Sequence, residues 1–286
     1  MHRYLKLYCK KDFSLIKSSI ILCFLIFLLI SSLALFPQSY SMNSKPELSW
    51  GSDILISDED SELAISTKRG YALRINGRMV HVIWSSIISN SNSEIYYRRS
   101  DDNGSTWLSS IQLTDADGLS MVPMLAVKKQ KVFAVWKDNR NTAEPEIYFK
   151  CSFNSGEDWG TDVRLTETSD ASNTPAVAVY KNNVYVVYEE KTGDPATCKA
   201  YFISSQDEGA AWGNPVLLSE DIPKREDGAP SIAVGQGNII HVVYGSDKHA
   251  EQTAGYNWEN YYRRSTDKGK TWEPPVRLTN DTIGDT

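Results

Sequence analysis

Ser205-Gln206-Asp207-Glu208-Gly209-Ala210-Ala211-Trp212 is the stretch on which the fold turns, because the chain carries it four times. Its counterparts are Ser100-Asp101-Asp102-Asn103-Gly104-Ser105-Thr106-Trp107, Ser152-Phe153-Asn154-Ser155-Gly156-Glu157-Asp158-Trp159 and Ser265-Thr266-Asp267-Lys268-Gly269-Lys270-Thr271-Trp272. From Gly104 through Gly156 and Gly209 to Gly269 the steps are 52, 53 and 60 residues. Each copy follows an aromatic pair (Tyr96-Tyr97, Tyr148-Phe149, Tyr201-Phe202, Tyr261-Tyr262) and precedes a short apolar segment ending Leu113-Thr114, Leu165-Thr166, Leu218-Ser219 or Leu278-Thr279. Upstream lie two β-branched runs, such as Pro175 to Val179 and Val184 to Tyr188, separated by turn residues. Each repeat therefore reads as four short strands, and helical periodicity is absent outside the N-terminal segment. A four-stranded unit recurring about every 50 residues is the signature of a β-propeller.

The Ser-x-Asp-x-Gly-x-x-Trp segment resembles the Asp box, or BNR repeat, of sialidase-like propellers, and the resemblance covers residues 47 to 279. It implies an all-β chain of four-stranded blades, here at about 63–114, 121–166, 173–219 and 228–279. A lone fourth strand, 47–57, stands in front of them. The family has six blades, so four blades and one odd strand imply an incomplete propeller lacking a C-terminal portion, with exposed sheet edges. The boxes themselves are expected to be structural. Gly104, Gly156, Gly209 and Gly269 supply a backbone conformation closed to other residues. Asp102, Asn154, Asp207 and Asp267 accept turn hydrogen bonds, and Trp107, Trp159, Trp212 and Trp272 pack beneath the turn.

The 286 residues carry 30 bases and 36 acids. The first 41 hold five of those bases against Asp12 alone, which leaves the rest with a net charge of about −10. So acidic a body excludes sequence-independent nucleic-acid binding, which depends on cations displacing counterions. The basic start leads into an apolar run, Ile20 to Phe36, with small residues at Ser39 and Ser41. That is the layout of an export signal over 1–41; an anchor through 20–36 is the alternative, and residues 42–286 are extracellular or periplasmic in both cases. Membrane contact is expected through this segment alone, if it stays uncleaved. Cys9 and Cys23 fall within it, leaving Cys151 and Cys198. The repeat alignment separates these by six positions along their strands, roughly 20 Å, too far for a disulfide. Scattered histidines match no zinc site, and Asp58-Glu59-Asp60 reads as a solvated turn in preference to a calcium site, so neither metal nor cofactor is expected.

In a blade of alternating strands, the short, near-identical turns from strand one to two and from three to four share one face. The connections from two to three and between blades share the other, and function belongs there. Those connections carry Asp138, Arg140, Glu190, Arg225, Tyr256 and Trp258 among other polar and aromatic residues. Arg140 and Arg225 suit a sugar carboxylate, and Tyr256 and Trp258 suit stacking on a sugar ring. The resemblance to sialidases implies a nucleophilic tyrosine activated by a glutamate, for which Tyr188 and Glu190 are candidates because residues two apart share a strand face, with Asp138 as an acid. Against this, Tyr188 aligns with Trp84, Trp136 and Tyr244 as a core aromatic, and Asp138 and Arg140 within Trp136-Lys137-Asp138-Asn139-Arg140 suit a loop pin. The arginine motif that opens sialidase domains is missing; Arg74 comes nearest and falls within strand one. Two readings stand: a propeller that recognises glycans and, as an enzyme, would be an exo-sialidase-like hydrolase; or a noncatalytic propeller that binds a protein or cell-surface polymer.

Overall fold

The computed structural model describes residues 52–57, 71–89, 91–192, 197–219, 230–246 and 259–280. Met1–Ile54 and Leu55–Thr286 are separate compact units; the second contains all the strands described below. The expected export segment 1–41, Asp58-Glu59-Asp60, Arg225, Tyr256 and Trp258 lie outside the described residues.

The second unit is all-β. Sheet 1 comprises β1 (Tyr71–Asn76), β2 (Met79–Ser89), β3 (Asn92–Ser100) and β4 (Ile111–Gln112). Sheet 2 comprises β5 (Ser120–Lys128), β6 (Lys131–Asp138), β7 (Glu146–Ser152) and β8 (Val163–Arg164). Sheet 3 comprises β9 (Ala171–Tyr180), β10 (Asn183–Thr192), β11 (Thr197–Ser205) and β12 (Val216–Leu217). Sheet 4 comprises β13 (Ser231–Val234), β14 (Ile240–Ser246), β15 (Glu259–Ser265) and β16 (Val276–Arg277), with a 3-10 turn at Gln236–Asn238 after its first strand. Each sheet pairs its strands in chain order, antiparallel throughout. No helix among the described residues is long and apolar enough to cross a membrane.

Continuous apolar runs replace strict alternation because inner sheets are covered on both faces. In β6, Val132, Ala134 and Trp136 join Ala72, Ile83, Ile95 and Tyr97 of sheet 1. Phe133 and Val135, pointing the other way, join Val177, Val184, Val186 and Tyr188 of sheet 3. A third core, between sheets 3 and 4, holds Tyr185, Val187 and Phe202 against Ile240, Val242 and Tyr244. The sheets thus stack in chain order, 1 on 2 on 3 on 4.

The boxes explain this order. In each, the serine hydroxyl donates to the Asp or Asn side-chain oxygen at 2.7–2.9 Å and accepts the glycine N–H at 2.8–2.9 Å. That same oxygen accepts the amide four residues on. In the second to fourth boxes the tryptophan indole N–H donates to the glycine carbonyl at 3.2 Å. The tryptophan does more than sit beneath its own turn. Trp159, Trp212 and Trp272 meet Tyr97, Phe149 and Phe202 of the preceding sheet edge-on, with centroids 5.0–5.1 Å apart and planes at 72°. The box glycine, at positive φ, lies against the same ring: a Cβ on Gly156, Gly209 or Gly269 would stand 2.3–2.5 Å from its nearest ring atom. The box is a coupling between blades as well as a hairpin closure.

Several expectations shift in detail. The polar segment 85–93, loop-like by composition, is mostly hairpin, since β2 runs to Ser89 and β3 starts at Asn92. Glu189 and Glu190 likewise lie on β10, because its pairing with β11 continues to Thr192. Residues 52–57 of the expected lone strand have no ladder partner, yet Ile56 occupies a fourth-strand place. Arg98 donates to its carbonyl at 2.7 Å, as Arg263 donates to Leu218 at 2.7 Å and Lys150 to Leu113. Cys151 and Cys198 are both free thiols, as expected.

Two glycines separate backbone strain from close approach. Gly209 (φ +96°) and Gly104 (φ +87°) are both left-handed, but a Cβ on Gly104 meets nothing nearer than 3.9 Å whereas one on Gly209 stands 2.4 Å from Phe149. Both alanine variants should lose about 1 kcal/mol from the backbone, and Gly209→Ala roughly 1–3 kcal/mol more from overpacking. Urea denaturation giving equal losses would contradict the coupling role.

Candidate functional site

The face opposite the boxes is formed by the starts of first and third strands and the ends of second strands. Two innermost strands are bulged there. Register slips between Met121 and Met124 in β5, and between Val187 and Glu189 in the β9–β10 pair. Val122 (φ +56°) and Thr174 (φ +47°) sit in the left-handed region at equivalent places, each immediately before a proline. β-Branched residues pay for that conformation, and such strain gathers where a chain must present groups in a set direction.

At the end of β6, Asp138 is almost fully buried. It accepts hydrogen bonds from the Arg140 amide (2.8 Å) and guanidinium (2.5 Å), the Ser120 hydroxyl (2.7 Å) and the Trp136 indole (3.0 Å). Burial alone would raise its carboxyl, but these bonds outweigh it and hold Asp138 below the ordinary carboxylate range. Arg140 also reaches Asp162 at 2.5 Å and lies over the Tyr148 ring at 4.8 Å. Asn139 accepts the Leu119 amide at 2.6 Å. The Trp-Lys-Asp-Asn-Arg segment therefore pins β6 to the crossover entering β5, and both charges are spent in doing so.

A second set of acids organises the crossovers. Glu94, Glu146 and Glu259, at equivalent places near the starts of β3, β7 and β15, are buried. They accept from Thr114 (2.5 Å), Thr166 and Thr279, each two residues beyond a fourth strand. Glu146 further accepts the Thr168 amide (2.8 Å) and Arg164 (2.9 Å), while Arg277 pairs with Glu259 at 2.5 Å. Sheet 3 breaks the pattern: Lys199 takes the glutamate position, and across the ladder from it stands Glu190, where the other sheets have Ser86, Asp138 and Ser246.

The structure brings Tyr188 and Glu190 to one side of β10. Glu190 is nearly buried, and burial, then Asp170 and Glu146, push its carboxyl above the ordinary range, with Lys199 opposing. Tyr188, 1% exposed, stacks on Tyr201 at 5.6 Å, and its hydroxyl has no hydrogen-bond partner. Burial first, then Glu190, Tyr201 and Glu146, push the phenol upward, away from the phenolate a nucleophile needs. Tyr188 continues the row of stacked pairs Trp84–Tyr96, Trp136–Tyr148 and Tyr244–Tyr261.

Lys137, Asn173 and Thr174 join this region without having been singled out by sequence. Lys137 donates to the Asn173 side chain at 3.1 Å, and Thr174 donates to Glu189 at 3.1 Å. Burial lowers the Lys137 ammonium and Glu189 opposes that shift, yet no carboxylate lies within ion-pair distance of it among the described residues. The available signal was the β-branched residue before Pro123 and Pro175, and Lys199 in place of the recurrent glutamate.

Compared as a structure, the chain superposes on Trypanosoma rangeli sialidase in complex with sialic acid at TM-score 0.50 and 17% identity, over 73% of this chain and 37% of that one. A Hadza microbial sialidase gives TM-score 0.53 and 14% identity over 71% and 45%. The fold is that of the sialidase-like β-propellers. The chain spans less than half the length of either relative. No family profile and no curated protein matches the sequence. Within this sialidase-like propeller, Asp138 and Glu190 should answer substitution oppositely. Asp138→Asn removes the buried carboxylate on which four donors converge and leaves Arg140 only its outer partner Asp162, which should cost about 3 kcal/mol. Glu190 is held protonated more readily in the folded chain than in the unfolded one, so its charge weakens the fold once pH exceeds the unfolded carboxylate value. Glu190→Gln should raise the melting temperature at pH 7 and leave it unchanged near pH 4; a loss at pH 7 would contradict this.

Proposed function

We propose that the loop face of this propeller recognises glycans carrying an acidic group, outside the cell, and that it does so without hydrolysing them. The observation that carries the reading is the distribution of positive charge. Arg140 is committed to Asp138 and Asp162, Arg164 to Glu146 and Arg277 to Glu259. Lys137 keeps one neutral partner, Asn173, at the bulge preceding Pro175. A half-buried ammonium that makes no ion pair among the described residues, and feels Glu189 only at a distance, favours an anionic ligand, and surrounding amide and hydroxyl groups suit sugar hydroxyls. The buried, unacidified Tyr188 supports recognition over covalent catalysis. Residues 1–41, in this reading, are the export segment.

The full chain should bind immobilised sialylated or uronate-bearing glycans in preference to their neutral counterparts, and Lys137→Gln should remove the preference while the chain still melts cooperatively. It should release no fluorophore from a fluorogenic sialoside. Equal binding of neutral and acidic glycans, or turnover of the sialoside, would overturn the proposal.

A further inference from the structure

The junction of sheets 1 and 2 differs from the next two in one row of side chains. Across its first three strands sheet 2 has Ala126, Phe133 and Cys151 in register, and sheet 3 has Ala178, Tyr185 and Ser204. Sheet 1 has Arg74, His81 and Arg99 in the same places. The ring pairs Phe133–Phe149 and Tyr185–Phe202 are replaced there by His81–Tyr97. Cross-strand partners share a face of the sheet, and Tyr97 lies under Gly156 and Trp159 of the second box. The row is therefore on the side that packs against sheet 2.

His81 is 0% exposed. Its Nδ1 lies 2.6 Å from the Tyr97 hydroxyl, which donates to the Ser155 carbonyl at 3.2 Å; Arg99 donates to that carbonyl at 2.6 Å. Arg99 also pairs with Asp101 at 2.7 Å and with Glu157 of the second box at 3.2 Å. From sheet 2, Val127 and Val132 line the same core and bring no charge. The other imidazole nitrogen, Nε2, is buried and has no partner among the described residues. Whichever nitrogen carries the proton of the neutral ring, the imidazolium has an N–H on both. Its Nε2–H would have no acceptor, and Arg99 already supplies a positive charge beside it. Burial first, and Arg99 second, bring the ring down to about 4, with Asp101 opposing.

We propose that His81 is an acid-sensitive latch between the first two blades: neutral, it lets Tyr97 and Arg99 hold the second box; protonated, it releases sheet 1 from sheet 2. The junctions of sheets 2 with 3 and 3 with 4 stay closed, because Phe133, Phe149 and Phe202 have nothing to ionise and Tyr185 is pushed above the ordinary phenol range by burial. The closed junction excludes a proton that the opened one accepts near the ordinary histidine value of 6.5. The latch is thus fully engaged above that value and weakens as pH falls towards 4. For one proton, the ratio of opened to closed junction should rise roughly tenfold between about pH 6.5 and about pH 5, a window above the ordinary carboxylate range.

The test is amide hydrogen exchange of the full chain at those two pH values, read by mass spectrometry on peptic peptides and corrected for the intrinsic rate at each. Peptides from β2, β3 and the second box should lose about tenfold in protection on acidification, and those from β10 and β11 less than about twofold. His81→Phe, which installs the sheet 2 pairing, and His81→Gln, which keeps a neutral hydrogen-bonding side chain, should each abolish the difference. A uniform loss across all sheets, no loss at β2 and β3, or the same pH dependence in either folded variant would overturn the proposal.

Discussion

The contact of an aromatic ring with a glycine that has no side chain is the constraint on which the rest of this structure depends. Tyr97, Phe149 and Phe202 reach into the next sheet's box, and they fit because Gly156, Gly209 and Gly269 leave room and because Trp159, Trp212 and Trp272 close edge-on over them. Each such pair contributes about 0.5–1.5 kcal/mol beyond its buried area. The larger effect is geometric, since a close-packed contact fixes the distance and orientation of neighbouring sheets. With that fixed, runs such as Val132 to Trp136 find a partner on both faces, and the second-strand ends are carried to a common face.

That constraint was legible in the sequence as far as it repeats. Four boxes at near-constant spacing declare four-stranded blades, and the structure has them. The role of the glycine between blades was not legible, because a positive-φ turn explains a conserved-looking glycine well enough by itself. Its neighbour Phe149 lies 60 residues before Gly209, a separation that no local pattern records. The strand ends were misjudged for a related reason. Ser85, Ser86, Glu189 and Glu190 look like loop residues by composition, but hydrogen bonding to the adjacent strand and cover from neighbouring sheets make them part of β2 and β10.

The candidate face was legible in part. The reasoning that function needs residues differing between blades points to sheet 3, where Lys199 replaces the recurrent glutamate and Glu190 stands opposite it. Asp138 and Arg140 carry charge as a catalytic or binding pair would, but a carboxylate accepting from four donors has nothing left to offer a ligand. Lys137 was hidden inside the same segment: its neighbours attract attention, while its lack of an ion pair among the described residues becomes visible only when the partners of every nearby cation are known.

The central claim is that the aromatic and the tryptophan act as one unit across the sheet boundary, and a double-mutant cycle on Phe202 and Trp272 measures that directly. With Phe202→Leu and Trp272→Phe made singly and together, urea denaturation should show the two losses to be non-additive by about 1 kcal/mol, because the first change already removes what the second would disrupt. Losses that add to within about 0.3–0.5 kcal/mol, as for independent sites, would mean that the rings stabilise their own sheets separately and that something else sets the stacking of the blades.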